Sequence, residues 1–248
     1  MWTTPHPSPE EIGRYYESDA YISHSDTNKG LFNRAYHTVR QLALKQKYDY
    51  VRTFTSGQYL LDIGCGTGYF LSHFVEQGNT GMGVEPDQVA RQAAADRSRS
   101  VVHETLEGVG GTFDLATMWH VLEHDHQPAV TLRRIHNILC EDGLLFIAVP
   151  NHHSYDAVYY QRYWAAYDVP RHLHHFSRNS LNRLAHESGF ERVGQKGMVF
   201  DSFYVSMLSQ QYIGNGGMIH GALRGLISNL KAGRSGEYSS LIHVFRKR

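Results

Sequence analysis

The chain has 248 residues, 41% of them hydrophobic and 19% charged, which is enough to build one sizeable core, and a single domain over 1–248 is expected. Its 24 Lys plus Arg balance its 24 Asp plus Glu, so there is no basic excess to draw it to nucleic acid or to a membrane surface. The longest purely apolar run, Leu144 to Val149, is far short of the roughly 20 residues a membrane helix needs, and the two cysteines fit a reduced, cytoplasmic protein.

In chain order, residues 1–13 are Pro-rich and without periodicity, and read as a loose arm. Leu31, Ala35, Val39, Leu42 and Leu44 are spaced for one stripe of a helix ending near Tyr50, so that 1–50 forms an arm and a helical lid whose tyrosines, Tyr21 among them, either touch a ligand or pack. Leu60-Leu61-Asp62-Ile63 then runs as a buried strand into Gly64-Cys65-Gly66-Thr67-Gly68 and on into a helix carrying Phe70, Leu71, Phe74 and Val75. Glycines at alternate positions let the backbone turn sharply and approach a ligand, and the free N–H groups of the helix point at the same place. The third glycine comes one residue early for a dinucleotide fingerprint, with Tyr69 in its place, and no Lys-Ser/Thr pair follows to make a P-loop.

The second strand, Gly81 to Glu85, puts a carboxylate 21 positions beyond Gly64, about where a ribose hydroxyl pair needs an acceptor; the competing reading is a cap on a helix begun by Pro86. A short third strand lies near Val101-Val102-His103. The fourth, Phe113 to Trp119, leads into His120-Val121-Leu122-Glu123-His124. That pentad matches an inverted zinc-protease signature, but the signature needs both histidines on one helix, and here a strand runs into His120 with no third ligand in view, so no metal is expected. A helix from Pro128 turns at Asp142-Gly143 into the fifth strand, Leu144 to Val149, apolar at every position and therefore covered on both faces; residues 51–150 make the binding core. An insertion follows over 151–176, rich in tyrosine and ending in His172-Leu173-His174-His175-Phe176. Ser177 caps the next helix and Gly189 ends it, Phe190 to Val199 reads as strand six, two apolar helical stretches fill 203–231, and Leu241 to Phe245 is strand seven before a solvated Arg246-Lys247-Arg248 tail.

Leu-Asp-Ile-Gly-Cys-Gly-Thr-Gly resembles the first motif of the class I S-adenosylmethionine (SAM) dependent methyltransferases, and with the other segments the resemblance covers most of 58–190, on the side of the ubiquinone-pathway and small-molecule group. It implies an α/β fold: a Rossmann-like, doubly wound, seven-stranded, mostly parallel sheet with an antiparallel last strand, an N-terminal helical lid and an insertion after strand five. SAM, leaving as S-adenosylhomocysteine, would lie across the C-terminal strand ends against Asp62, Gly64, Cys65, Gly66 and Gly68, with Glu85 on the ribose, Glu104 near the adenine, and Trp119 and His120 near the methionine part. The ubiquinone-pathway relatives carry an acid where this chain has His120.

Methyl transfer from a sulfonium is an in-line displacement, so the protein's tasks are alignment and exclusion of water, with a base where the acceptor is a hydroxyl. His172, His174 and His175 are the candidate bases, against the alternative that their rings tie the insertion to the sheet. The expected activity is methylation, most simply O-methylation, of a small molecule, a glycan or a lipid headgroup. A catalytically silent SAM-binding regulator and a nucleotide-linked oxidoreductase, the latter disfavoured by Tyr69, are the alternatives.

Overall fold

The computed structural model describes residues 1–16, 31–214 and 217–248, with side chains from residue 38 onward in the helix that starts at Leu31; Tyr21, Leu31 and Ala35 thus fall outside the described side chains. Seven short runs rich in apolar residues form one sheet: β1 (Tyr59–Ile63), β2 (Thr80–Val84), β3 (Val102–His103), β4 (Phe113–Trp119), β5 (Leu139–Pro150), β6 (Phe190–Gly197) and β7 (Ser240–Lys247). Their order is β3-β2-β1-β4-β5-β7-β6, and only β7 runs against its neighbours. The chain moves outward from β1 to β3, then returns to lay β4 on the other side of β1. Diverging connections at that reversal leave a crevice beyond the C-terminal ends of β1 and β4, the usual ligand position in open α/β sheets.

Eight helices complete the described elements apart from short 3-10 turns: α1 (Leu31–Arg52), α2 (Tyr69–Glu76), α3 (Gln88–Ser98), α4 (Pro128–Ile138), α5 (Tyr155–Tyr160), α6 (Arg178–Glu187), α7 (Asp201–Ile213) and α8 (Met218–Ser235). Each begins or ends where local chemistry allows it. Asp87 caps α3 by accepting from the Ala90 amide at 2.7 Å, proline opens α4, and Ser177 and Ser180 form a reciprocal capping box on α6. On one sheet face Ile63, Met118, Ile147 and Val149 pack with Leu132 and Ile135 of α4 and Leu181 of α6; on the other Leu60, Leu115, Phe146 and Val244 pack with Phe70 and Phe74 of α2 and Val51 of α1. β5 is buried from Leu144 to Val149 because both faces are covered.

Several expectations are corrected. In α1 the packed positions are Leu44, Tyr48 and Val51, whereas Val39 and Leu42 are exposed, because the stripe that meets α2 and the sheet starts later than the apolar spacing implied. The N-terminal arm is pinned: the Thr3 amide donates to the Leu173 carbonyl at 2.9 Å, and the His175 amide to the Met1 carbonyl at 2.8 Å. Of the terminal basic residues Arg246 and Arg248 are exposed, as a solvated tail would have them, whereas Lys247 in β7 donates its ammonium to the Leu139 carbonyl at 2.7 Å.

The insertion after β5 is organised by Asp156, a fully buried carboxylate on α5. It accepts from the Trp164 indole at 2.8 Å, from Ser228 of α8 at 2.6 Å and from Ser239 at 2.7 Å, tying the insertion, the helical hairpin α7–α8 and the entry to β7 to one side chain. Asp156→Ala leaves three buried donors unpaired and should cost about 3 kcal/mol or more, roughly 6–12 °C in Tm for a chain of this size. Thermal unfolding by circular dichroism checks it; a Tm unchanged to within a degree would show that the insertion is held by other means.

Candidate active site

The turn after β1 carries three glycines with left-handed φ, +63° at Gly64, +53° at Gly66 and +78° at Gly68. They do different work. A Cβ on Gly64 would lie 2.4 Å from the Val121 side chain and one on Gly68 2.7 Å from the Ala94 Cα, so these two let the turn pack against the loop after β4 and against α3. A Cβ on Gly66 would meet nothing within 4 Å among the described residues, so the second glycine is the one with room above it.

Glu85, at the end of β2, fixes this turn. One carboxylate oxygen accepts from the Gly66 amide at 2.8 Å and the other from the Asp87 amide at 3.0 Å. Burial raises its pKa against the pull of those two amides. Asp87, and not Glu85, caps α3, so the cap reading is answered by a different residue. Beside it Asp62 is buried in β1, with Oδ1 accepting from Thr117 at 2.6 Å and Oδ2 without a partner among the described residues. Burial drives Asp62 up to about 7, partly opposed by Thr117 and by the charge of Lys47. The Lys47 ammonium sits 4.6 Å from the centre of the Trp119 ring, and desolvation lowers its pKa. Tyr69, just past the glycines, has the Arg40 and Arg97 guanidiniums each 3.8 Å from its ring centre.

At the end of β4 the backbone of His120 turns to φ +59°, a strained conformation for a non-glycine residue. The turn aims the imidazole between two acids: Nδ1 lies 3.2 Å from Glu123 Oε1 and Nε2 3.0 Å from Asp201 Oδ2, at the start of α7. Burial works to discharge the ring, but the hydrogen bonds and negative charges of Asp201 and Glu123 outweigh it and push His120 up to about 9. The same contacts overcome burial to hold both carboxyls below their usual range. The cluster is therefore carboxylate, imidazolium, carboxylate at neutral pH. Glu123 is 1% exposed and its Oε2 has no partner among the described residues; the Asp201 side chain, 22% exposed, borders a small cleft with Lys47 and Phe200.

A cavity of about 280 Å³ opens next to the glycine turn, walled by Ile63, Leu106, Met118 and Val121 and rimmed by Glu107 and Arg134. Glu104 points away into solvent and sits 3.7 Å from Arg91, while Leu106 lines the cavity. Cys65 is a free thiol, its pKa raised by burial.

The three histidines of the insertion form a different kind of group. The Leu173 and His174 amides both donate to the Glu123 carbonyl, at 2.8 and 3.0 Å. His172 Nδ1 is 2.9 Å from the Ala166 carbonyl, and His175 Nε2 is 3.2 Å from the Thr3 hydroxyl. Burial lowers His175 to about 4 and also lowers His174. The segment is thus clamped between the Leu122–His124 turn and the N-terminal arm. It also brings His172 to where Glu123, His124 and His172 each offer a donor atom within 4.8 Å of one another, a third potential ligand that the sequence did not place; His124 Nδ1 is already engaged by Tyr16 at 2.9 Å and the Arg171 carbonyl at 3.0 Å. Lys47 and Asp201 were not among the sequence's site residues, and Glu123 entered only through the pentad it shares with His120 and His124. Lys47 was detectable as a cation inside the apolar stripe between Leu44 and Val51, and Asp201 as the last acid before a run from 202 to 236 that has none.

A model of the methyltransferase domain family matches residues 33–195. The ubiquinone biosynthesis O-methyltransferase of Pseudomonas aeruginosa is 29% identical over 157 residues, 56% of this chain and 67% of that relative. Among solved structures, magnesium protoporphyrin IX methyltransferase from Synechocystis PCC 6803, crystallised with S-adenosylhomocysteine, superposes with a TM-score of 0.63 at 11% identity over 95% of this chain and 97% of that one. The 1,6-didemethyltoxoflavin-N1-methyltransferase of Burkholderia thailandensis does so at 0.56, with 19% identity over 99% and 92%.

The Glu123–His120–Asp201 cluster makes a signed prediction about stability. A histidine raised to about 9 stabilises fully below its unfolded value of about 6.5 and loses that contribution as pH rises through 9; the depressed acids contribute above about 4 and lose it as pH falls through their folded values. Tm should therefore decline between about pH 6.5 and 9, and His120→Gln should flatten that slope. Melting curves across the range check it, and an equal slope in the variant would mean that the ring is not held charged.

Proposed function

Because the chain belongs to the methyltransferase family, the class I SAM-dependent enzymes, we propose that it methylates a hydroxyl of a small molecule, with His120 as the base. The observation that carries this reading is the His120 ring at the end of β4, oriented through Nδ1 by a buried carboxylate and held through Nε2 by Asp201, which borders a cleft with Lys47. The O-methyltransferases among the similar proteins support the choice of oxygen.

The residues around the glycine turn fit SAM. Space above Gly66 admits a nucleoside against the backbone, Glu85 stands at the end of β2 with lone pairs beyond those used by two amides, and the apolar wall of Ile63, Leu106 and Val121 suits a purine. Asp62 Oδ2, without a partner among the described residues, is an acceptor for an amino group, and the Lys47 ammonium a partner for a carboxylate. When bound, the cofactor supplies a methyl group on a positively charged sulfur. The chain's own work is then positional and acid–base. Lys47 of α1 lies over Trp119 and lines the cleft beside Asp201, and Glu123 holds the imidazole in one orientation.

Asp201 occupies the Nε2 face of His120, the place an acceptor hydroxyl must take for its proton to pass to the ring. Displacing Asp201 removes one of the two charges that raise the histidine, which brings its pKa back toward neutrality where it can accept that proton. In this reading His172, His174 and His175 act as structural clamps of the insertion, which their hydrogen bonds and the low pKa of His175 support.

Two measurements test the assignments. Gly66→Ala has room for its methyl group but a left-handed backbone to satisfy, about 1–2 kcal/mol, so Tm should fall by only a few degrees while S-adenosylhomocysteine affinity, read by calorimetry, falls at least tenfold. Unchanged affinity would place the cofactor elsewhere. For the base, kcat/KM of the intact enzyme should rise with pH through about 9, since the ring must be neutral to accept a proton; Asp201→Asn should move that limb toward lower pH, and His120→Ala should lower turnover by about 100-fold or more. A limb that stays in place in Asp201→Asn, or full turnover in His120→Ala, removes His120 from the chemistry.

A further inference from the structure

We propose that the outward face of α8 docks the protein on a bilayer that carries anionic headgroups. Globular helices turn their large apolar side chains inward, and α8 does the reverse. Its buried positions are Gly221, Gly225, Ser228 and Ala232, small residues that bring the helix against α7 so closely that a Cβ on Gly221 would lie 2.5 Å from the Met207 Cα, and one on Gly225 2.7 Å from the Phe203 Cα. Ile219, Leu223, Leu226 and Leu230 are exposed at 77%, 53%, 45% and 67%. Each lies two positions before a buried small residue, about 200° away around the helix, so the four form one stripe on the side opposite the packed one. Packing of α8 on the protein therefore leaves this stripe uncovered.

Charge identifies what covers it. The chain as a whole is balanced, yet from 202 to 236 there is no Asp or Glu, while Arg224, Lys231 and Arg234 all lie on α8. The acids on neighbouring elements are engaged elsewhere: Asp201 with His120, Asp156 with Trp164 and two serines, and Glu237 with Arg178 at 2.9 Å. Arg224 and Lys231 lie over the rings of Tyr159 and Tyr155 of α5, at 4.1 and 3.8 Å, which places the cations on one flank of the stripe. Tyr159 is itself 42% exposed, and an amphipathic tyrosine at such a boundary suits the headgroup level. A second copy of this face would set like charges against each other, whereas an anionic headgroup layer neutralises them while the stripe enters the acyl boundary. Among the described residues no helix is long and apolar enough to cross a membrane, so the contact lies in the plane of the surface. This inference stands on α8 and the elements packed beside it, and does not depend on His120 acting as a base or on the identity of the acceptor.

Flotation of the full chain with vesicles tests it. The protein should float with vesicles of equal parts phosphatidylglycerol and phosphatidylcholine, stay behind with phosphatidylcholine alone, and be released as salt rises. Combined Ile219→Ser, Leu223→Ser and Leu230→Ser, all exposed and so expected to leave Tm unchanged, should weaken partitioning by about tenfold or more. Independently, Lys231→Gln and Arg234→Gln should each weaken it by about fivefold. The proposal is overturned if the intact protein ignores both vesicle types, if both sets of variants float like the intact protein, or if sedimentation shows a dimer that the serine variant converts to monomer while neither binds vesicles.

Discussion

One carboxylate connects the parts of this molecule that must stay in register. Glu85 holds the Gly66 amide with one oxygen and the Asp87 amide with the other, so the turn leaving β1 and the turn leaving β2 share a fixed point. Gly64 and Gly68 then let that turn press against Val121 and Ala94, which links it to the loop after β4 and to α3. The crevice at the sheet's reversal owes its shape to these contacts, and Gly66 is the place where they leave room. Sheet order alone would put a crevice there; the Glu85 contacts give it a fixed wall.

Much of this was legible because it is local. Glycine spacing, the Ser177 cap and the apolar run of β5 act on neighbours within a turn or two of chain, so sequence order carries their meaning; the acid 21 residues after Gly64 was legible by its spacing although it bonds back to Gly66, and the cap on α3 is Asp87, which the sequence did not single out. The helical lid was placed, but its packed face was not: Leu44, Tyr48 and Val51 are selected by what α2 and the sheet present, and Val39 and Leu42 are exposed. The same reason hid the ordered N-terminal arm, whose hydrogen bonds run to Leu173 and His175.

The acid–base cluster shows the limit more sharply. His120 and Glu123 stand three residues apart and were visible together, but Asp201 joins them from 81 residues away, and a left-handed φ at His120 decides where the ring points. The histidines that drew attention by their density, His172 and His175, each have one ring nitrogen engaged, by the Ala166 carbonyl and the Thr3 hydroxyl. Density of a residue type marks a candidate; the hydrogen bonds around each ring decide what it can do. Burial alone would discharge His120, and two carboxylates reverse the sign.

The proposed reaction is transfer of a methyl group to an oxygen of the acceptor beside His120. Incubating the protein with SAM labelled in its methyl group and an extract of small molecules, followed by mass analysis of every species that gains label, tests it most directly. The expected product carries the label as a methyl ether or ester and is absent when His120→Ala replaces the intact chain. Label on nitrogen or carbon, or no labelled product while SAM is bound, would contradict the account.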